Sequence, residues 1–242
     1  MENQRFIVKF AQTEQEKNST YSLRYHHMLK EYRPELNIES QLDFGPADLY
    51  AKHAICIDTD TGEVVGCYRI ITSDCLPKDK KFVCEDEFDI SSLKQSGESI
   101  AEMSRAVIHK DYRNSVVLML LFKFVLNYLI ENNYRFMIGE ASFFGTDKNA
   151  FAEEISYLAN FHSAKEYGIK SLEEKQISIL PPEQLNQAEI KRKLPALIRA
   201  YLNFGAKTSC DSFTDYDFGS VDVFILLDSK NLNMAFVQRL LK

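Results

Sequence analysis

The segment AEMSRAVIHKDYR, residues 101–113, places polar side chains in an otherwise apolar run. If the run is a strand, Glu102 and Ser104 share one face and Arg105 points to the other. Charged side chains in a central strand are costly to bury unless they are paired. Glu102 is therefore a candidate base or amine-binding carboxylate at an open edge of the strand. The alternative is a structural ion pair between Glu102 and a neighbour such as Arg69.

Two arginines and two aspartates upstream are candidates for contact with a small substrate. A guanidinium can pair bidentately with a carboxylate, so Arg24 and Arg69 could orient an acidic segment or face the carboxylate of an acceptor. Asp43 and Asp48 could attract an amine. The alternative for the arginines is that they form structural salt bridges. The alternative for the aspartates is that they are solvated loop residues.

A short basic run, Lys191-Arg192-Lys193, stands out because the chain has a net charge of −6. A local basic surface would steer the docking of an acidic protein partner. The alternative is the solvated start of a helix. The negative net charge argues against binding of nucleic acid.

Other chemistry is not indicated by the residue spacing. The adjacent His26 and His27 would point about 100° apart on a helix, which is a poor arrangement for one metal ion. The five cysteines form no CxxC pair, and their odd number fits reduced thiols in a cytoplasmic protein. The chain contains no HExxH, GxSxG, P-loop or GxGxxG motif. We predict no metal, no bound cofactor and no covalent enzyme intermediate.

Hydrophobic periodicity and turn residues indicate the elements that must position these side chains. The predicted strands form a hairpin across the Asp60-Thr61-Gly62 turn and three later runs: His53–Asp58, Val64–Thr72, Ser99–His109, Tyr134–Phe143 and Val221–Leu227. The predicted helices are Thr13–Tyr32, Ser115–Glu131, Asp147–Phe161, Ile190–Phe204 and Asn231–Leu241. A strand plus loop is predicted over Ala206–Phe218.

This order predicts a mixed α/β (α+β) fold with a mainly antiparallel sheet and flanking helices. Right-handed crossover makes the strands at Ser99–His109 and Tyr134–Phe143 parallel neighbours, which can splay to admit an extended ligand. We predict a single domain, 1–242, with a variable insertion at 167–189. The apolar stretch Ser115–Ile130 is interrupted by Lys123 and is too short to span a bilayer comfortably, although contact with a membrane surface stays open.

Several motifs in order along the chain carry a resemblance to a known family. EMSRAVIHKDYR is followed by an apolar helix and then by MIGEASFFGTD, and LRYHHM (Leu23–Met28) and VVGCYRII (Val64–Ile71) precede them. Between LRYHHM and VVGCYRII lie Asp43, Asp48 and His53. Two further motifs follow downstream, LPALIRAYLNFGAK and DYDFGSVDVFILL. The set resembles the ornithine-lipid N-acyltransferase (hemolysin-like) family of GNAT acyltransferases, which is related to acyl-homoserine-lactone synthases.

The resemblance implies a GNAT-like sheet and an acyl transfer to the amine of an amino acid, ornithine above all. Glu102, with Ser104 and Arg105, would remove a proton from the amine, and backbone N–H groups near Val107 would stabilise the oxyanion. Arg24, Asp43, Asp48 and Arg69 would contact the acceptor.

The donor implied is the acyl-phosphopantetheine thioester of acyl carrier protein. Tyr112-Arg113-Asn114-Ser115 lacks the glycines of the usual GNAT pyrophosphate loop, and a carrier-bound arm has no adenosine diphosphate to cradle. Lys110 and Arg113, beside the predicted donor channel, and Lys191, Arg192 and Lys193 would dock the carrier.

Alternatives remain at this point. Within enzymes, they are acylation of another amine such as glycine, or synthesis of a lactone signal. In a different class, the chain would be a non-catalytic acyl-binding or membrane-surface module. The resemblance implies a cytoplasmic protein that could contact the inner face of the membrane.

Overall fold

The computed structural model describes residues 5–113 and 116–241. The strands in these residues are β1 (Phe6–Phe10), β2 (Lys52–Asp58), β3 (Glu63–Thr72), β4 (Phe88–Asp89), β5 (Ile100–Ile108), β6 (Phe136–Phe144), β7 (Lys170–Ser171), β8 (Lys207–Thr208), β9 (Phe213–Asp215) and β10 (Ser220–Asp228). The α-helices are α1 (Glu14–Arg24), α2 (Lys30–Tyr32), α3 (Ser91–Gln95), α4 (Val117–Glu131), α5 (Ala152–Phe161), α6 (Gln187–Lys193), α7 (Ala196–Asn203) and α8 (Met234–Leu241).

The chain forms two compact units, and their boundary falls within strand β5. The first unit contains Met1–Lys80 and Met103–Asn133, and the second contains Lys81–Glu102 and Tyr134–Lys242. The extent of the predicted single domain, 1–242, stays a prediction.

The first unit is built on the strand order β1-β2-β3-β5. The predicted hairpin is confirmed: β2 and β3 are antiparallel, and Gly62 in their turn has φ +75°, a left-handed conformation that glycine adopts without strain. Helix α4 packs on this sheet and buries Leu121, Val125 and Leu129. A Cβ atom at Gly66 would lie 2.7 Å from Val117, so this position admits only glycine at the present spacing of α4 and β3.

The helix predicted over Thr13–Tyr32 is present, but it is not regular. Thr13 caps α1 through a capping box with Glu16, and a π-helical turn, Tyr25–Leu29, separates α1 from α2. Such π-turns inside α-helices are frequent at functional sites. None of the helices in the described residues is long and apolar enough to cross a bilayer.

The second unit contains the one parallel pair among the described strands. The first residues of β5, Ile100–Glu102, run parallel to Phe136–Ile138 of β6, which confirms the predicted parallel neighbours. Strand β10 is antiparallel to β6 along its whole length, and all nine of its residues are buried. Strands β8 and β9 also pair with β10, and β4 pairs with β7. The fold is therefore the predicted mixed α/β type with a mainly antiparallel sheet.

One predicted helix was wrong in its extent. Ile190–Phe204 is not continuous, because Leu194 and Pro195 adopt extended backbone (ψ 139° and 142°) between α6 and α7. Proline disfavours a helical conformation in the residue before it, which explains the break. Gly205 follows α7 with φ +92°, the left-handed conformation that is common in glycine just after a helix. Strands β1 and β4 and helix α3 were missed.

Candidate active site

Five charged side chains of the first unit form one arginine–aspartate network: Arg24, Asp43, Asp48, Arg69 and Arg105. At its centre, Arg24 Nη1 and Nη2 donate to the two carboxylate oxygens of Asp48 at 2.7 and 3.1 Å. Arg24 Nε donates to Asp43 Oδ2 at 2.8 Å. The side chain of Arg24 is 1% exposed and that of Asp48 is fully buried. Arg24 is thus in contact with both aspartates that the sequence predicted to bind the substrate.

The network continues onto strands β3 and β5. Arg69 Nη1 lies 3.7 Å from Asp48, and Arg69 Nε donates to Ser104 Oγ at 2.9 Å. Arg105 Nε lies 3.3 Å from Asp43 Oδ2. Ser104 and Arg105, both predicted as catalytic, are therefore linked to the residues predicted to bind the acceptor.

Local chain geometry explains how these groups come together. Asp48 belongs to a short 3₁₀ turn that begins at Pro46, and its carboxylate also accepts from the Gly45 N–H at 2.9 Å. The Asp43 N–H donates to the carbonyl of Tyr21 in α1, which ties this loop to the helix that carries Arg24. The result is a rigid support for the network.

The backbone of Arg105 departs from a regular strand. Its φ is +53°, a left-handed conformation that is uncommon for residues other than glycine, asparagine and aspartate. The alternation predicted for Ser104 and Arg105 therefore does not hold, and the Arg105 side chain meets Asp43, one of the two aspartates that Arg24 contacts. Backbone strain of this kind clusters at functional sites.

Electrostatics favour the charged form of the central pair. Burial alone would raise the pKa of Asp48, but the hydrogen bonds and the positive charges of Arg24 and Arg69 hold that pKa below its usual value. Burial likewise opposes the charge of Arg24, and Asp48 and Asp43 outweigh it and raise the pKa of the guanidinium. Both groups therefore stay ionised at neutral pH.

His53 extends the network on its buried side. It lies opposite Arg69 in the β2–β3 register, and its ring packs edge-on against Tyr21 at 5.4 Å. Its Nε2 atom is 3.8 Å from Asp48 Oδ1, and the side chain is 2% exposed. Burial, with the charges of Arg24 and Arg69, lowers the pKa of His53 to about 4, so the ring is neutral at pH 7.

Glu102 lies in a different environment from the one predicted. It was expected at an open edge of the strand, but it is fully buried. Its Oε2 and Oε1 atoms accept the backbone N–H groups of Val83 and Cys84 at 2.8 and 3.2 Å. The carboxylate thus caps the 3₁₀ turn Val83–Asp86, a contact that the sequence did not indicate.

Val107, the predicted oxyanion position, places its side chain in an apolar cluster with Leu23, Ile55 and Cys67. Only its backbone N–H could therefore act on a substrate. Burial raises the pKa of Cys67 to about 12, and a hydrogen bond with the Val107 backbone acts weakly in the opposite direction. Cys67 is a protonated thiol at neutral pH, so it is not a thiolate nucleophile.

The residues predicted to dock a carrier protein lie in both units. In the first unit, Lys110 is exposed, while Arg113 donates to the Glu31 carboxylate at 2.6 Å. Between these two residues, Asp111 and Tyr112 line a surface depression of about 580 Å³.

The basic run of the second unit, Lys191-Arg192-Lys193, is exposed, and one of its three residues pairs with acidic side chains. Lys193 forms ion pairs with Glu153 and Glu189, and Lys191 lies over the ring of Tyr157 at 5.9 Å. Arg192 donates to the backbone carbonyl of Ala188. Lys191 and Arg192 therefore carry most of the positive charge that a partner could meet.

A carboxylate cluster in the second unit was missed, because its members are far apart in sequence. One oxygen each from Glu87, Asp215 and Asp222 lie within 4.8 Å of one another. Burial and the nearby charges of Glu140, Asp222 and Asp215 raise the pKa of Glu87 to about 10. A protonated Glu87 relieves the repulsion without a cation, and the expectation of no metal stays a prediction.

The chain is similar to known acyltransferases. Residues 23–123 match the model of the acetyltransferase (GNAT) domain. The chain is 27% identical over 238 residues to the L-ornithine N(alpha)-acyltransferase of Rhodobacter capsulatus, covering 94% of this chain and 92% of the relative. It is 27% identical to the enzyme of the same name from Agrobacterium fabrum, covering 95% and 83%.

Solved structures agree on the fold. TofI, determined with an inhibitor and MTA, aligns with a TM-score of 0.51 at 12% identity, covering 97% of this chain and 96% of that one. The CoA-dependent acyl-homoserine lactone synthase MesI aligns with a TM-score of 0.50 at 10% identity, covering 97% and 95%. The family resemblance predicted from the residues is confirmed: the chain is similar over most of its length to L-ornithine N(alpha)-acyltransferases and over residues 23–123 to the acetyltransferase (GNAT) domain. It is an acyltransferase that acts on an acyl thioester and an amine acceptor.

Proposed function

We propose that this enzyme transfers a 3-hydroxyacyl group from acyl carrier protein to the α-amine of ornithine and so makes lyso-ornithine lipid. The observation that carries the proposal is the similarity, over 94% of the chain, to an L-ornithine N(alpha)-acyltransferase. The arginine–aspartate network supports it, since the residues that the resemblance implied for the acceptor are in mutual contact.

The proposed reaction needs one nucleophile and one leaving group. The α-ammonium of ornithine loses a proton, and its nitrogen attacks the thioester carbonyl carbon to give a tetrahedral oxyanion. The backbone N–H of Val107 is our candidate donor to that oxygen. Collapse breaks the C–S bond, the pantetheine sulfur leaves as a thiol after taking up a proton, and an amide remains.

The two acidic groups have different proposed roles. Asp48 accepts three hydrogen bonds from Arg24 and Gly45 and holds the network in shape. Glu102 accepts two backbone N–H groups and so positions the Val83–Asp86 turn. Glu102 stays our candidate to take the amine proton by way of a water molecule, the role that the resemblance implied.

The proposal of a carrier-protein donor rests on charge and on the absence of glycine from the sequence that follows β5. Tyr112-Arg113-Asn114-Ser115 has no glycine, whereas close approach of backbone to a pyrophosphate commonly uses glycine. Exposed Lys110, Lys191 and Arg192 would attract an acidic carrier to a chain of net charge −6.

The test is a transfer assay with purified protein. A 3-hydroxyacyl thioester of acyl carrier protein, or the same acyl group on CoA, is supplied with ornithine, lysine or glycine, and products are identified by mass spectrometry. We expect an amide of ornithine from the carrier-bound donor, and the site of acylation follows from fragmentation.

Three results would contradict the proposal in different ways. Preferred acylation of glycine would show that ornithine is not the acceptor. Faster transfer from CoA would show that acyl carrier protein is not the preferred donor. Binding of the acyl group without any amide, under conditions in which the folded protein is confirmed by circular dichroism, would favour a non-catalytic acyl-binding module. An Arg69→Gln variant should lose amide formation, and circular dichroism checks whether its fold is kept.

A further inference from the structure

Arg113, which the sequence predicted to dock a carrier protein, directs its guanidinium toward the N-terminal helical segment. Its Nη2 atom donates to the carbonyl oxygen of His27 at 2.9 Å and to Glu31 Oε1 at 2.6 Å. Its Nε atom donates to the carbonyl oxygen of Ile108 at 3.4 Å. The guanidinium therefore bridges the end of β5 and the π-helical turn that separates α1 from α2.

The connector after β5 holds the π-helical turn through two further contacts. The backbone N–H of Lys110 donates to His27 Nδ1 at 3.4 Å, and the rings of His27 and His109 lie 4.0 Å apart. Burial, with the charges of His109 and Arg113, lowers the pKa of His27 to about 4, so its ring is neutral at pH 7 and can accept this hydrogen bond. Since a π-turn is a rare conformation, contacts that hold its central residue from outside help to maintain it.

The same π-helical turn is continuous with the acceptor network. Arg24 is the residue directly before the turn, and its guanidinium contacts both Asp43 and Asp48. Met28, in the turn, packs against the apolar cluster that contains Val107. A shift of the turn would therefore move Arg24, and small shifts of substrate-positioning groups are costly to an enzyme.

We propose that Arg113 is a positioning residue for acyl transfer, which holds the π-helical turn and thereby keeps Arg24 in the geometry that binds the acceptor. Glu31 is its partner in this role. The inference rests on the proposed function, because it concerns the binding of ornithine. It differs from a docking role, in which Arg113 would leave Glu31 to meet an acidic carrier.

Two-substrate kinetics separate positioning from docking. In Arg113→Gln and Glu31→Gln, ornithine is varied at a saturating 3-hydroxyacyl thioester of acyl carrier protein, and the thioester is then varied at saturating ornithine. Each variant should raise the KM for ornithine by roughly two- to thirtyfold, the range for residues that act on a site without contacting its ligand. A docking role predicts instead a higher KM for the thioester in Arg113→Gln alone, because Glu31→Gln would free the guanidinium for the carrier.

A conservative variant and a matched control complete the set. Arg113→Lys keeps the charge without the planar fork, so it should recover part of the loss. Glu14→Gln removes a carboxylate of α1 that pairs with Lys17 at the surface, and it should leave both KM values unchanged. Hydrogen exchange followed by mass spectrometry gives a readout without substrate. The amides of residues 25–32 should exchange faster in Arg113→Gln and Glu31→Gln than in Glu14→Gln.

Arg113 and Glu31 are 43% and 40% exposed, so loss of their pair should change the stability of the fold little. A lower kcat with an unchanged KM for ornithine would mean a smaller folded fraction and would overturn the inference. An unchanged KM for ornithine in either variant, or unchanged exchange of residues 25–32, would overturn it as well. No amide of ornithine from the wild type would refute the proposed function itself, and the inference with it.

Discussion

Both carboxylate oxygens of Asp48 accept hydrogen bonds from the guanidinium of Arg24, in a pair that solvent does not reach. Arg24 belongs to α1, and Asp48 belongs to the turn before β2. A buried pair of this kind need not stabilise the fold relative to apolar residues, yet removal of one partner is costly because the other charge stays buried. Loss of either partner should therefore disturb the candidate site and also lower the stability of the fold.

The first prediction concerns this dependence. Arg24→Met should lower the free energy of unfolding by about 3–5 kcal/mol, because Asp48 is left buried without its main partner. Urea unfolding followed by circular dichroism measures the change. Lys17→Met is the control, since Lys17 pairs with Glu14 at the surface and should contribute less than about 1 kcal/mol. Similar losses in the two variants would mean that the buried pair has no special role.

Glu102 supplies the second prediction, which separates its structural role from its chemical one. Glu102→Gln replaces one acceptor oxygen by an NH₂ group that faces a backbone N–H of Val83 or Cys84. The variant should lose about 1–3 kcal/mol of stability as well as transfer activity. Glu98→Gln, on an exposed residue that pairs with Lys230, is the matched control. Full stability with lost activity would assign Glu102 to proton transfer alone.

Much of the site was predictable because its residues lie in strongly patterned segments. The hairpin turn at Asp60-Thr61-Gly62 fixes β2 against β3, and this pairing places His53 opposite Arg69. The apolar helix and the strand after it predict the parallel partner of β5. The contacts of Asp48 with Arg24 and Arg69 are then expected, because a carboxylate pairs with guanidinium groups.

What the sequence did not predict depends on conformations that have no periodic signal. The positive φ of Arg105 breaks the alternation that was used to assign faces in β5. Glu102 was expected to meet solvent or an arginine, but its partners are backbone N–H groups, which a side-chain pattern cannot reveal. The Glu87, Asp215 and Asp222 cluster joins residues far apart in the chain.

The third prediction follows from the neutral ring of His53. Its folded pKa, about 4, lies below the ordinary value near 6.5, so the unfolded chain binds the extra proton first. The stabilisation is complete above about pH 6.5 and is lost as the pH falls toward 4, by roughly 3 kcal/mol in total. Chemical unfolding between pH 7 and pH 4 measures this slope.

His53→Phe is the variant that isolates the effect, because it keeps a ring against Tyr21 and removes the titrating group. Its stability should fall less than that of the wild type over the same pH range. His27, whose pKa burial also lowers to about 4, contributes an acid-sensitive slope of its own in both proteins. Parallel slopes in wild type and His53→Phe would show that His53 does not titrate in this range.

The last prediction concerns docking of the donor. Lys191 and Arg192 are exposed, whereas Lys193 already pairs with Glu153 and Glu189. Reversal of charge in Lys191→Glu with Arg192→Glu should therefore lower kcat/KM for an acyl carrier protein donor by about tenfold at low salt, and salt should narrow the gap. A short acyl-pantetheine thioester, which carries no protein, should react equally well with wild type and variant.

The double variant Lys78→Glu with Lys80→Glu makes the same charge change at two exposed lysines that the sequence did not assign to docking. If carrier docking depends on local charge, this control keeps most of the activity, because screening limits the reach of exposed charges to about 8–10 Å at physiological salt. Equal losses in the two double variants would indicate that only the net charge of −6 matters. Loss with the short thioester as well would mean that Lys191 and Arg192 act on the fold or on the chemistry, and docking would have to be sought near Lys110.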